Sequence, residues 1–147
     1  MKKVLIVYYS LTGITQKMAE FIGEGIRISG HQVVIKKTSD IISREDMQGY
    51  DGYIFGSPTH HRDIANHMKD FLLIPRREDL KGKMAGAFGS YTHDGNAPAF
   101  ILGTMEHVFK MQPVELGPFN LLESIMETDE GLHACHEYGK VFGEELR

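Results

Sequence analysis

A hydroxyl-rich loop between an apolar strand and a helix constrains this chain more than any other stretch. Residues 4–9 are apolar and rich in Val, Ile and Tyr, which predicts a strand buried on both faces. Residues 10–15 (Ser-Leu-Thr-Gly-Ile-Thr) follow at once, and helical spacing of apolar residues begins at Ile14. A helix start offers unpaired N–H groups and the positive end of its dipole, so this arrangement is typical of an anion site.

The loop supplies neutral donors rather than cations. Its hydroxyl donors are Ser10, Thr12 and Thr15, and it contains no Lys or Arg. Gly13 lets the backbone approach a ligand closely. Such a loop suits a phosphate monoester held without a counter-cation, but an ordinary turn with a Ser or Thr helix cap has the same pattern. The loop alone leaves both interpretations open.

The composition limits the classes of protein that fit. The chain has 147 residues, of which 41% are hydrophobic and 24% charged, and this predicts one soluble globular domain over 1–147. A net charge of −4 without a basic stripe argues against nucleic acid as a partner. The lone Cys135 excludes an internal disulfide and favours a cytoplasmic location. The first apolar run is too short to span a bilayer, so we expect no membrane partner.

Strand and helix patterns alternate along the whole chain. Strands are predicted at residues 3–9, 32–37, 53–57, 84–89 and 114–119, the last of them interrupted by Gly117-Pro118. Helices are predicted from Ile14, around residues 43–46, from Ile64 to Leu72, around Phe100 to Phe109, and after a Thr128 cap. Residues 76–79 are expected to form an exposed charged turn. The alternation predicts a doubly wound five-stranded parallel sheet with helices on both faces, with ligands at the carboxyl ends of the strands.

Two further loops leave predicted strands at that same edge. They are residues 56–61 (Gly-Ser-Pro-Thr-His-His) and residues 88–95 (Phe-Gly-Ser-Tyr-Thr-His-Asp-Gly). With these loops the chain resembles the short-chain flavodoxin family over nearly its whole length. The second and third loops look most like those of the flavodoxin-type domain of flavodiiron proteins. The first loop matches the family's phosphate motif Ser/Thr-x-Thr-Gly-x-Thr, which implies that it holds the 5′-phosphate of flavin mononucleotide (FMN).

The resemblance implies cofactor-binding residues on all three loops and neither catalytic residues nor metal ligands. The implied residues are Ser10, Leu11, Thr12, Gly13, Ile14, Thr15, Ser57, Pro58, Thr59, His60, His61, Gly89, Ser90, Tyr91, Thr92, His93, Asp94 and Gly95.

The residues implied at the ring end of the site, where the flavin ring would lie, differ from those usual in the family. Family members often sandwich the flavin ring between Trp, Tyr or Met side chains of the second and third loops, whereas this chain has no Trp. Matching the loops puts His60 and His93 at those positions, with Tyr91 close by. His61 and Arg62 follow in the second loop. Cationic groups near the ring stabilise an anionic reduced flavin, so we expect a less negative midpoint potential than in low-potential flavodoxins.

Three functions are compatible with these patterns. The resemblance implies an FMN electron carrier whose partner is a redox protein, either a reductase or an acceptor. An FMN-dependent NAD(P)H oxidoreductase of the quinone-reductase type is the first alternative, although such enzymes are usually longer. A flavin-free binding module is the second, and the intact phosphate motif argues against it.

The dense group His133-Ala134-Cys135-His136 also invites a metal interpretation. It lacks the paired spacing of structural zinc sites. On the predicted last helix Cys135 falls on the apolar face, which predicts a buried thiol.

Overall fold

Alternating strands and helices build one central sheet in the computed structural model. The structure describes residues 1–60, 63–93 and 95–146, and at residues 60, 63 and 64 it describes the backbone alone. The elements in chain order are β1 (Lys3–Tyr8), α1 (Ile14–Ile28), β2 (Gln32–Lys37), two short 3-10 helices (Thr38–Asp40 and Arg44–Met47), β3 (Gly52–Gly56), β4 (Thr59–His60), β5 (Asp63–Ile64), α2 (Asn66–Phe71), α3 (Arg77–Leu80), β6 (Met84–Tyr91), α4 (Ala97–His107), β7 (Gln112–Pro113), β8 (Phe119–Leu122), α5 (Glu123–Met126) and α6 (Asp129–Glu145).

The sheet is parallel and doubly wound, as predicted. Its strands lie in the order β2-β1-β3-β6-β7. Both β7 and β8 pair with β6: β7 pairs with the start of β6 and β8 with its end. All of these pairings are parallel. The chain passes from β1 to β2 on one side and then returns to β3 on the other side of β1. The carboxyl ends of β1 and β3 therefore flank the switch point at which such sheets bind ligands.

Alternate residues of β1 belong to two apolar layers, one on each face of the sheet. Leu5 and Val7 pack with residues of α2 and α4, whereas Val4 and Ile6 pack with residues of α1 and α6. This confirms a first strand that is buried on both faces, as a parallel sheet covered by helices requires. Among the described residues, no helix has both the length and the apolar character needed to cross a membrane.

The sequence predicts the fifth strand at residues 114–119 with an interruption at Gly117-Pro118; the interruption is confirmed, but the bounds are wrong. Two short strands, β7 and β8, occupy that position in the sheet, and residues 114–118 between them form a turn. Gly117 has a φ of +73° and its N–H donates to the carbonyl of Val114. A left-handed glycine followed by Pro118 cannot continue a strand, so pairing with β6 resumes only at Phe119.

The charged segment at residues 76–79 is exposed at Arg76, Arg77 and Glu78, as predicted, but it enters a short helix instead of forming a turn. Residues 77–80 form α3, and the Asp79 carboxylate is only 2% exposed because it accepts hydrogen bonds from Arg44. The next helix boundary also differs from expectation: α2 begins at Asn66 because Asp63–Ile64 pairs with Thr59–His60 as a short hairpin.

Candidate cofactor site

The first loop crosses the switch point and enters α1 through Gly13. Gly13 has a φ of +93° and serves as the N-cap residue, but no side chain in the described part of the chain caps the helix. Its own N–H donates instead to Ser10 Oγ at 3.0 Å. The interpretation of this loop as a turn with a Ser or Thr cap is therefore wrong, and the first-turn N–H groups of α1 keep their character as an anion site.

Thr15 connects the first loop to the third. Its Oγ1 lies 3.3 Å from Ser90 Oγ, and the two residues are 2% and 1% exposed. Neighbouring Thr12 and Leu11 are exposed, and Ile14 packs partly against the apolar layer of α1. The loop thus presents one exposed and one buried threonine at the edge of the sheet.

The second loop is held mainly by its own hydrogen bonds. Ser57 is fully buried: its Oγ donates to the Pro58 carbonyl at 2.9 Å and accepts from Ala65 N–H at 3.2 Å. Thr59 Oγ1 accepts a hydrogen bond from Ala97 N–H at 3.2 Å, which ties this loop to the start of α4. The Ser57 hydroxyl therefore shapes the loop. His60 is described only as backbone in β4, and His61 lies outside the described residues.

The third loop continues β6 beyond the other strands. Gly89 packs so closely on the Ser57 carbonyl that a Cβ atom would overlap it, and this contact brings the second and third loops together. Tyr91 is half-buried, whereas Thr92 and His93 are exposed. Asp94 lies outside the described residues. At the end of the loop, the Gly95 carbonyl accepts a hydrogen bond from Asn120 Nδ2 at 2.5 Å.

The three loops meet around a cavity of about 100 Å³. Its walls are formed by Leu11, Thr12, Thr15, Pro58, Thr59, Ser90, Thr92 and Glu123. Among the described residues the lining is rich in hydroxyl groups and contains no Lys or Arg, and Glu123 is its one charged side chain. The hydroxyl groups match the neutral donor set inferred for a phosphate monoester. An adjoining cavity of about 330 Å³ shares Thr92 and Glu123 with it and extends along Tyr91 and Leu122.

Sequence reasoning missed two residues of this region. Glu123 lines both cavities at the start of α5, and Asn120 lies on β8 against the third loop. Both could have been inferred from the fifth strand position, because its carboxyl end lies at the same edge of the sheet as the three loops. The misplaced fifth strand concealed that signal, because the strand segment that reaches this edge begins only at Phe119.

The clustered histidines of α6 do not lead to the site. His133 is exposed, whereas Cys135 is fully buried with its Sγ 3.5 Å from Met126 Sδ. Burial raises the pKa of the Cys135 thiol to about 12, so the predicted buried thiol is confirmed. Within residues 1–60, 63–93 and 95–146, no three His, Cys, Asp or Glu side chains come close enough together to hold a metal ion.

Comparison with known proteins assigns the family. The family described as "Flavodoxin domain" matches residues 5–117 of the chain. The chain belongs to the flavodoxin family. FMN is the cofactor of this family, and the cavity fits its phosphate because hydroxyl donors and an uncapped helix start converge there.

Two curated relatives differ in function. A flavodoxin of Clostridium saccharobutylicum is 34% identical over 88 residues, which cover 60% of this chain and 55% of that protein. The match thus spans about half the length of that relative. An NAD(P)H dehydrogenase (quinone) of Sinorhizobium fredii is 27% identical over an alignment of 154 residues, which covers 88% of this chain and 77% of the dehydrogenase.

Solved structures match over nearly the whole chain. A flavodoxin from the domain Archaea superposes with a TM-score of 0.88 at 28% identity, covering 98% of both chains. The flavodiiron protein of Giardia intestinalis superposes with a TM-score of 0.87 at 22% identity, covering 99% of this chain and 36% of that one. The second match, at this level of identity, shows the fold alone.

Proposed function

We propose that residues 1–147 form a single-domain FMN electron carrier that exchanges electrons with a redox protein. The observation that carries this proposal is the convergence of the three loops on one hydroxyl-lined cavity at the switch point of the sheet. The match to an archaeal flavodoxin along 98% of both chains supports it. We also propose a cytoplasmic location, which the lone Cys135 favours.

FMN supplies the electron transfer when bound, and the residues of this chain bind and orient it. We assign the phosphate to the first loop, where the hydroxyls of Thr12 and Thr15 and the N–H groups at the start of α1 are the donors. We assign the ring to the second and third loops, where half-buried Tyr91 lines the larger cavity. Ser57 and Gly89 serve this end by shaping the two loops.

A binding and reduction experiment tests the proposal. The purified protein is expected to bind FMN with 1:1 stoichiometry and to quench its fluorescence. Stopped-flow mixing of the loaded protein with NADPH or NADH is expected to give very slow reduction, because a carrier receives its electrons from a protein. Absence of FMN binding would contradict the assignment of the cofactor site, and fast reduction would contradict the carrier role.

One observation favours a second candidate, an FMN-dependent NAD(P)H oxidoreductase. The Sinorhizobium fredii relative, which covers 88% of this chain, is an NAD(P)H dehydrogenase (quinone). Under this alternative, the same stopped-flow experiment gives reduction that saturates with the nicotinamide nucleotide and reoxidation by a quinone. The two candidates share the cofactor and differ in the electron donor, so this single measurement separates them.

The ring end provides a second test of the carrier proposal. We propose a midpoint potential less negative than that of low-potential flavodoxins. The reason is that His60, His61 and His93 lie on the loops assigned to the ring, where positive charge would stabilise an anionic reduced flavin. An anaerobic redox titration of the FMN-loaded protein measures it, and a potential as negative as that of low-potential flavodoxins would contradict the proposal.

A further inference from the structure

One side chain of β8 holds the far end of the third loop. Asn120 lies opposite Gly89 in the β6–β8 pairing, and its Nδ2 donates to the carbonyl of Gly95 at 2.5 Å. The loop therefore begins at a strand residue paired with Asn120 and ends at a carbonyl bound to the Asn120 side chain. A single residue thus determines the separation of the two ends of the loop.

Gly95 leaves room for the Asn120 amide because it has no side chain. A Cβ atom at Gly95 would overlap Asn120 Nδ2 and would lie 2.9 Å from Tyr91 Cδ1. The contact with Asn120 therefore requires glycine at this position, and the two residues form a matched pair across 25 positions of sequence.

The side-chain amide of Asn120 has a free-energy cost at this position. Asn120 Oδ1 is buried and has no hydrogen-bond partner among the described residues. A buried acceptor without a donor costs free energy, and a leucine of similar volume would fill the space without that cost. The bond from Nδ2 to Gly95 is the contact that an apolar residue could not make, so holding the loop is the role of this side chain.

We propose that Asn120 is the positioning residue of the third loop and controls binding of the flavin ring separately from binding of the phosphate. The inference rests on the proposed placement of FMN, with the ring at the third loop and the phosphate at the first. Asn120 acts at the Gly95 end of the third loop, whereas Thr12 donates from the first loop. The two residues should therefore affect different parts of the same ligand.

Riboflavin, which carries the ring but no phosphate, separates the two effects. Dissociation constants for FMN and for riboflavin are measured by flavin fluorescence on wild type, Asn120→Leu and Thr12→Val. Asn120→Leu is expected to weaken both ligands by the same factor, about tenfold, whereas Thr12→Val weakens FMN and leaves riboflavin unchanged. At saturating FMN, the visible circular dichroism of the flavin is expected to change in Asn120→Leu and not in Thr12→Val.

Equal binding of riboflavin by wild type and Asn120→Leu would overturn the inference while leaving the proposed function intact. Failure of wild type to bind either flavin would overturn the proposed function, and this inference with it. Asn120→Asp provides a second variant in case Asn120→Leu does not fold. It keeps the size of the side chain but replaces the donor Nδ2 with an oxygen facing the Gly95 carbonyl, and the same loss of riboflavin affinity is expected.

A double-mutant cycle checks that the effect passes through Gly95. Gly95→Ala is expected to weaken riboflavin binding in wild type because the new methyl group displaces the Asn120 amide. In an Asn120→Ala background the overlapping Nδ2 is absent, so the same Gly95→Ala change is expected to cost several-fold less. Equal costs in the two backgrounds would show that the two residues act independently and would overturn the inference.

Discussion

Thr15 Oγ1 and Ser90 Oγ lie 3.3 Å apart in a site from which solvent is almost completely excluded. The two residues are separated by 75 positions in the sequence. Thr15 belongs to the first turn of α1 and Ser90 to the end of β6. Their hydroxyl pair therefore joins the loop assigned to the phosphate with the loop assigned to the ring.

Removing one member of this pair is expected to destabilise the fold. Thr15→Val preserves the shape of the side chain but leaves the Ser90 hydroxyl buried without its partner, at a cost of about 1–3 kcal/mol. Urea unfolding of the flavin-free protein measures the change. In the double variant Thr15→Val/Ser90→Ala neither hydroxyl is left unpaired, so the loss should be smaller than the sum of the two single losses. Additive losses would contradict a direct bond.

Thr12 is expected to affect cofactor binding without affecting stability. Its side chain is exposed and lines the cavity, so Thr12→Val should reduce FMN affinity by about 1–3 kcal/mol and leave urea unfolding of the flavin-free protein unchanged. Thr104→Val is the matched control, because the Thr104 hydroxyl donates to the Phe100 carbonyl within α4. Equal FMN affinity in wild type and Thr12→Val would show that the phosphate lies elsewhere.

Asp79 is expected to make stability depend on pH in the acid range. Hydrogen bonds from the Arg44 guanidinium are the main cause that lowers the pKa of the Asp79 carboxyl from 3.8 to about 2. Because the pKa is lower in the folded state, the stabilisation is complete above pH 4 and is lost as the pH falls towards 2. Asp79→Asn should therefore lower the free energy of unfolding at pH 7 by about 1–2 kcal/mol.

The measurement for Asp79 is chemical unfolding of wild type and Asp79→Asn at several pH values between 7 and 2. The difference between the two proteins should shrink as the pH falls through the window from 4 to 2. Glu78→Gln is the matched control, since the Glu78 side chain also binds Arg44 but is 67% exposed. A constant difference between wild type and Asp79→Asn over the whole pH range would contradict the prediction.

Close packing of α1 on α6 is expected to make Gly139 intolerant of a methyl group. A Cβ atom at Gly139 would overlap the Ile22 carbonyl, which belongs to the backbone of α1 and cannot move independently. Gly139→Ala should lower the free energy of unfolding by about 1–3 kcal/mol. Gly103 in α4 is the control: nothing lies within 4 Å of its Cβ position, so Gly103→Ala should stabilise the helix by about 0.5–1 kcal/mol. Thermal unfolding of both variants measures the difference.

The first loop could be predicted from the sequence because its parts are neighbours in the chain. An apolar strand, three hydroxyl residues, Gly13 and a helix start are recognisable within residues 4–15. The alternation of strands and helices then places the loops after β1, β3 and β6 at one edge of the sheet. The resemblance of these loops to those of flavodoxins implies the family and its cofactor, and the family match over residues 5–117 confirms the family.

Other features could not be predicted because their partners are distant in the sequence. Nothing local to residues 76–79 shows that Asp79 is buried, since Arg44 lies 35 positions away. The same holds for the bond between Asn120 and Gly95, and the turn at Gly117 moved the strand pairing that positions Asn120. Periodicity reports which face of an element is apolar, but it does not report which polar atoms meet across elements.

By itself the sequence determined the parallel sheet, because hydrophobic spacing depends on residues close together in the chain, and the resemblance of its loops to those of flavodoxins implied the cofactor. Only the tertiary structure decided that Thr15 bonds with Ser90, that Asn120 holds Gly95 and that Asp79 is buried against Arg44. Hydrogen bonds weaken steeply over a few tenths of an ångström. Contacts of this kind therefore depend on how the packed helices and strands place distant side chains.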